Sequence, residues 1–201
     1  MEDTSPFQLS IDRLRGLCDV VMGVALVMLV LNIDIPNLSD VHDAQHFMNA
    51  FSHQAPSLFS FLICFLVIAK CWQIHSLLFY HVKTVDRRIL WLTMFYLLTI
   101  IFLVFTSGLK IRFDDQIILA IFSANLMLPA LVLSMLCARV VYGWKLDESI
   151  YLSEARKRAS VILMLKIFLI PLIAVISFAL SYVNVSLGFY SWVLMLFVIF
   201  V

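Results

Sequence analysis

The sequence predicts an all-α membrane protein with six transmembrane helices, and three observations carry that prediction. Of the 201 residues, 63% are hydrophobic and 13% are charged, and the mean hydropathy is +1.03. Apolar runs long enough to cross a hydrocarbon core of about 30 Å recur along the chain. Lys and Arg are concentrated in alternate links between these runs. A soluble domain of this size could not bury so much apolar surface, and a net charge of +1 gives no sign of a nucleic-acid partner.

Six apolar runs organise residues 1–201 as a single transmembrane domain. The predicted spans cover about residues 12–35, 56–80, 89–109, 116–140, 161–182 and 186–201. The acidic start of the chain lacks the basic n-region of a signal peptide, so we expect the first run to be kept as a span. We expect a polar loop over Asn37–Gln54 and a tight turn over Asn184–Gly188.

The positive charges lie on one side of this arrangement. The N-terminal segment and the links after spans two and four hold Arg13, Arg15, Lys83, Arg87, Arg88, Arg139, Lys145, Arg156, Lys157 and Arg158. The opposite links hold only Lys110 and Arg112. This asymmetry predicts that both termini are cytoplasmic, and an even number of spans agrees with it. We interpret the two lysines inside spans, Lys70 and Lys166, as side chains that snorkel towards water.

The first span carries ionisable groups near its cytoplasmic end, at Arg13, Arg15 and Asp19. Such groups are costly in a membrane and persist when they pair, face other helices or line water. Arg15 lies one turn before Asp19 and could pair with it. Trp72 and His75, near the cytoplasmic end of the second span, could donate hydrogen bonds to the same carboxylate. We expect a mainly structural network that fixes the first helix in place.

One stripe of the first span is entirely apolar. Val20, Val24, Met28, Leu31 and Ile35 recur at spacings of four, four, three and four residues. If several copies of this helix surround an axis, the stripe forms apolar rings that gate by narrowing or dewetting. Taken alone, the pattern is more typical of packing against other helices or lipid, because every residue in this part of the span is apolar.

Several other classes of site are not supported. The spans hold no nucleophile–base pair and no H-E-x-x-H array, so an enzyme is not expected. Glycine is too scarce for a filter of stacked backbone carbonyls. His42 and His46 offer two ligands, which is too few for a metal site. The four cysteines lie in apolar runs and are interpreted as small core side chains: Cys18, Cys64, Cys71 and Cys137.

Several motifs resemble one family. Arg13-x-x-x-Leu17-Cys18-Asp19 resembles the Arg-x-x-x-Phe-Ser-Asp signature of the transmembrane protein 175 family of potassium channels, in its short bacterial branch. The run VVMGVALVMLVLNI is similar to that family's GVIAIAITLLVLEI. Trp72-Gln73-Ile74-His75 resembles its W-x-x-H, Val82–Thr93 its VKRVDRRLLWLN, and Phe122–Leu126 its YALNL. These matches cover the first four spans in order, and the last two spans match by length and hydropathy only.

The resemblance implies a homotetramer in the lipid bilayer, with the first helix lining a pore that has no re-entrant filter loop. Its function would be passive conduction of monovalent cations, with a preference for potassium, in the cell (inner or plasma) membrane of a prokaryote. No cofactor is implied, only permeant potassium ions. The pore constriction falls on Val24, Met28 and Leu31. Pore-lining or selectivity positions fall on Val20, Val27 and Ile35. The motif network falls on Arg13, Cys18, Asp19, Trp72 and His75.

The chain departs from the family at positions that matter. Cys18 stands where the family has Ser, so the motif network should be weaker. Val27 stands where the family has Thr, so discrimination of potassium from sodium should be poorer if that hydroxyl helps selectivity. Asn32 replaces a Glu at the outer mouth. Asp34, two residues on, could concentrate cations there or be an ordinary solvated loop acid.

One alternative of a different class stays open. A proton-permeable leak or a secondary transporter could use Asp19 and His75 as a relay. The absence of visible internal repeats weakly disfavours a transporter built from inverted repeats.

Overall fold

The computed structural model describes residues 11–33, 44–80, 82, 85–113, 115–142 and 172–194. Its helices are α1 (Ile11–Met28), α2 (Ala44–His53), α3 (Ala55–Tyr80), α4 (Arg87–Arg112), α5 (Gln116–Tyr142), α6 (Leu172–Ser181) and α7 (Val185–Tyr190). A 3-10 turn, Leu29–Asn32, extends α1, and a second one, Ser191–Val193, extends α7.

Four of these helices are long and apolar enough to cross a membrane. They are α1 with its 3-10 extension, α3, α4 and the Gln116–Val140 part of α5, with 22, 26, 26 and 25 residues. The first four predicted spans are therefore confirmed to within three residues at each end. Helix α6 falls within the predicted fifth span, and α7 begins one residue before the predicted sixth. Residues 161–171 and 195–201 lie outside the described part. The count of six spans and the cytoplasmic termini stay predictions.

The loop predicted over Asn37–Gln54 is wrong for its second half, which forms α2. The segment AQHFMNAFSH is polar on average, and that polarity suggested a loop. Its apolar residues nevertheless recur at helical spacing, and a short amphipathic helix needs no more than that. Met48 and Phe51 are exposed on its surface.

The core lies between α1, α3, α4 and α5. Helix α1 contributes one narrow face to it, at Leu14, Cys18, Met22, Ala25 and Leu29. In the most apolar stretch of α1 only 28% of the residues are buried, against 44–50% in the other three spans. Helix α1 is therefore the most peripheral of the four. All four cysteines are buried and unpaired, in agreement with their interpretation as core side chains.

Polar contacts fix the two ends of the α4–α5 pair. At one end Asp86 caps α4 by accepting a hydrogen bond from Ile89 N at 2.7 Å, and its other carboxylate oxygen lies 3.2 Å from Arg139 of α5. Towards the other end the buried Asn125 donates to Thr106 Oγ1 at 2.9 Å. Hydrogen bonds between buried side chains of different helices are characteristic of membrane bundles.

Helix α7 packs closely against α6. The Ser177 hydroxyl donates to the Gly188 carbonyl at 2.6 Å, and a Cβ at Gly188 would lie 2.6 Å from the Ser177 carbonyl oxygen. Only glycine permits this approach. The predicted turn lies slightly earlier than expected, because Asn184 already caps α7 by accepting from Ser186 N.

Candidate ion pathway along the first helix

Helix α1 has two unlike faces. Opposite its buried face, the apolar stripe is uncovered: Val20 is 64% exposed, Val24 56%, Met28 45% and Leu31 70%. Val27, beside the stripe, is 69% exposed. The structure therefore places the three predicted constriction residues together on the outer surface of the subunit. Ile35, the last predicted member of the stripe, lies outside the described residues.

The carboxylate of Asp19 binds to α3. The Trp72 indole N–H donates to Asp19 Oδ1 at 2.8 Å, and both side chains are exposed beside this contact. This is one of the two donors proposed for Asp19 from the sequence. It places Trp72 of α3 at the same depth in the membrane as Asp19 of α1.

The proposed pairing of Arg15 with Asp19 is not the arrangement found. The guanidinium of Arg15 lies 3.2 Å from Asp12, three residues earlier, and also donates to the carbonyl of Phe79. Arg15 therefore connects the beginning of α1 to the end of α3. An arginine on a helix can pair with an acid three residues before it or four residues after it. Arg15 pairs with Asp12, because its hydrogen bond to the Phe79 carbonyl directs the side chain towards the start of the helix. Arg13 lies exposed on the first turn.

His75 lies behind this surface, inside the bundle. It is 1% exposed and stacks between Phe79 and Tyr96, with ring centroids at 4.2 and 5.5 Å. Its Nε2 has no hydrogen-bond partner among the described residues. Cys18 is also fully buried, in the apolar core. The structure thus gives His75 and Cys18 packing roles next to the Asp19–Trp72 contact.

At the opposite end of α1, Asn32 binds to α4. Its amide donates to the Val104 carbonyl at 2.8 Å and to Ser107 Oγ at 2.9 Å, and Gly108 leaves room for it. The sequence prediction had placed Asn32 at an outer mouth, and did not identify this anchor. The signal available in the sequence was Gly108, a glycine within a long apolar helix. A glycine indicates a close approach, but it does not indicate which residue approaches. Asp34 lies outside the described residues.

These contacts hold α1 at both ends and leave its stripe uncovered. Trp72 and Phe79 of α3 hold one end, and Val104 and Ser107 of α4 hold the other. A single apolar stripe on a subunit surface encloses nothing. It can line a pathway only where several copies of the helix surround an axis.

The fold and this surface define a multi-pass α-helical membrane protein whose first helix is anchored along one side and open along the other. Residues 13–103 match the family model described as endosomal/lysosomal potassium channel TMEM175. The resemblance drawn from the motifs is confirmed over this part of the chain.

A relative and a solved structure extend the comparison. The chain is 30% identical over 88 residues to a potassium channel of Streptomyces collinus (strain DSM 40733 / Tue 365), a match that covers 44% of this chain. The match spans only 41% of that relative's length. The fold is similar to the crystal structure of a lysosomal potassium-selective channel TMEM175 homolog from Chamaesiphon minutus. The TM-score is 0.72 at 22% identity, over 94% of this chain and 95% of that one. These proteins are ion channels, which confirms that an enzyme was rightly not expected.

Proposed function

We propose that the chain is a potassium-preferring cation channel that assembles as a homotetramer, in the cell membrane of a prokaryote, with α1 lining the pore. The observation that carries the proposal is the uncovered stripe of α1, Val20 to Leu31, on a helix held from behind at both ends. The match of residues 13–103 to a potassium-channel family supports the same function. Conduction is passive, and the apolar rings at Val24, Met28 and Leu31 limit it because ions must lose water there.

Bilayer recording of the purified protein tests this proposal. With potassium on one side and sodium on the other, the reversal potential should show a higher permeability for potassium, and the current should need no coupled ion. Leu31→Ala widens the most exposed ring and should raise single-channel conductance. Leu172→Ala, at a position 54% exposed on α6, is the matched control and should leave conductance unchanged. Equal effects of the two variants would contradict a pore at the α1 stripe.

The geometry disfavours the relay alternative. His75 lies between two rings, and its Nε2 meets no donor or acceptor among the described residues, so a proton path from Asp19 to His75 lacks a link there. A coupled transporter would move potassium against its gradient when a proton gradient is imposed on proteoliposomes. A channel gives no such accumulation.

A further inference from the structure

Helix α3 carries a half-buried lysine, Lys70, within its membrane span. Lys70 Nζ donates to Gln73 Oε1 at 3.1 Å, and Gln73 is exposed. Lys70 lies ten residues before Tyr80, or about 15 Å along the helix. If the helix, about 39 Å long, is centred on a hydrocarbon core of about 30 Å, the backbone of Lys70 lies well inside the boundary, and its side chain reaches towards Gln73, nearer the helix end. A surface of this kind is poorly suited to acyl chains.

Helix α4 presents a surface of the opposite character. An aromatic stripe of Trp91, Phe95, Leu98, Phe102 and Phe105 repeats at spacings of four, three, four and three, and each member is 46–64% exposed. This 3.5-residue repeat is the spacing by which side chains of one helix interlock with another. Aromatic faces attract cations, and the attraction grows where water is excluded.

The two surfaces belong to the two helices that hold α1. Asp19 and Arg15 bind α3, and Asn32 binds α4. Helices α3 and α4 also pack on each other behind α1. If the α1 stripe faces an axis, the α3 surface of each copy meets the α4 surface of the next, because a cyclic assembly joins unlike faces.

The two surfaces also match in depth. Phe95 lies eight residues after Arg87, where α4 begins, and Leu98 lies eleven residues after it. Lys70 lies ten residues from the end of α3, and the short 81–86 link joins these two helix ends at one membrane face. The backbone of Lys70 in one copy therefore lies level with the Phe95–Leu98 part of the stripe on its neighbour.

We propose that the α4 aromatic stripe is the binding surface for a second copy of this chain, and that Lys70 of that copy lies against the ring of Phe95. This inference rests on the proposed tetramer and adds the residues that join its subunits. Aromatic rings take the place of the water that the ammonium loses in the membrane. The hydrogen bond to Gln73 holds the Lys70 side chain in place.

Cross-linking between copies of the full chain in bilayer nanodiscs tests the inference. Copies carrying Lys70→Cys and Phe95→Cys, with different tags, should form a mixed disulfide-linked dimer on mild oxidation. Both substitutions in one copy should give a ladder up to the tetramer. Met135→Cys is the matched control, because Met135 is 60% exposed on α5 and lies seven residues from Tyr142, at a similar depth. Paired with Lys70→Cys it should form no mixed dimer.

Charge variants distinguish a specific contact from mere proximity. Lys70→Met should weaken assembly by between about twofold and thirtyfold per interface, the range expected for a cation–π contact. Lys70→Arg should restore it, because guanidinium also stacks on rings. Light scattering of the purified protein gives the oligomeric state of each variant.

The other possible outcomes contradict either the proposed interface or the proposed channel function. Linkage of Lys70→Cys copies to one another, or no linkage in an intact tetramer, overturns the proposed interface and leaves the channel proposal standing. Quenching of Trp91 fluorescence by brominated lipids to the same extent as in a detergent-dissociated monomer overturns it too, because lipid then covers the stripe. A protein that is monomeric in nanodiscs and carries no current overturns the proposed function itself.

Discussion

The indole of Trp72 performs a task that a larger apolar side chain could not. Asp19 is an acid inside a membrane span, and an unpaired carboxylate there is costly. The Trp72 N–H donates one hydrogen bond of 2.8 Å to the Asp19 carboxylate, and this bond links α3 to α1. The residue therefore satisfies an acid and joins two helices.

Removing that donor should loosen the junction. Trp72→Phe keeps an aromatic ring and deletes the N–H, so we expect a loss of about 0.5–1.5 kcal/mol in the free energy of unfolding. Asp19→Asn keeps an acceptor and should lose less. Thermal unfolding in detergent measures both.

A second tryptophan supplies the control. Trp91→Phe, at a position 64% exposed on α4, should leave unfolding of the detergent-dissociated monomer almost unchanged. If Trp72→Phe is no more destabilising than Trp91→Phe, the hydrogen bond contributes nothing measurable to the fold.

The sequence could indicate the partner of Asp19 and could not indicate that of Arg15. The neighbouring span has two possible hydrogen-bond donors, Trp72 and His75, near its cytoplasmic end, so an acid inside the first span has few possible partners. Trp72 is the one found. Arg15 has acids both three residues before it and four residues after it, and besides Asp12 it contacts a backbone carbonyl. A backbone carbonyl has no sequence signature, so the choice depends on how α3 ends beside α1.

At the scale of the elements, long apolar runs were predictable and short or paired features were not. The first four spans follow from length and hydropathy alone. Helix α2 was missed although its apolar residues recur at helical spacing, because its many polar residues suggested a loop. The anchor between Asn32 and α4 depends on residues about seventy positions apart, and only the docked helices bring them together.

Closing the space beneath Asn32 should release the outer part of α1. In Gly108→Ala the new Cβ would lie 2.8 Å from Asn32 Oδ1, so the side chain must swing away and lose its bonds to Val104 and Ser107. We expect a net destabilisation of about 1 kcal/mol, because alanine's better helix propensity offsets part of the lost hydrogen bonding. Unfolding midpoints and hydrogen exchange over residues 29–33 measure the effect.

Gly23→Ala is the matched change on α1 itself. No atom of the described structure lies within 4 Å of a Cβ there, so the subunit should be unaffected or slightly more stable. Equal stability of the two alanine variants would show that Asn32 does not hold α1.

At the scale of the whole molecule, two apolar surfaces of the chain are left uncovered by its own helices. Its core ties four spans together, yet α1 leaves Val20 to Leu31 uncovered and α4 leaves its aromatic stripe uncovered. Periodicity in the sequence showed that the α1 stripe exists, but not what covers it, because an apolar side chain packs equally well on lipid or on protein. The Trp72 and Asn32 contacts add what periodicity could not, namely which helices hold α1 from behind.

Selectivity should depend on Val27 if the α1 stripes surround an ion pathway. The residue is 69% exposed beside the predicted rings, and it stands where the family resemblance has threonine. Val27→Thr adds a hydroxyl of nearly equal size, which can bind a partly dehydrated ion or its water. We expect the potassium-to-sodium permeability ratio to rise by about two- to fivefold, the worth of one modest hydrogen bond. Reversal potentials under bi-ionic conditions measure the ratio. Val30→Thr, 51% exposed on the flank of the same helix, should change it little, and an equal shift in both variants would mean that Val27 does not face the ions.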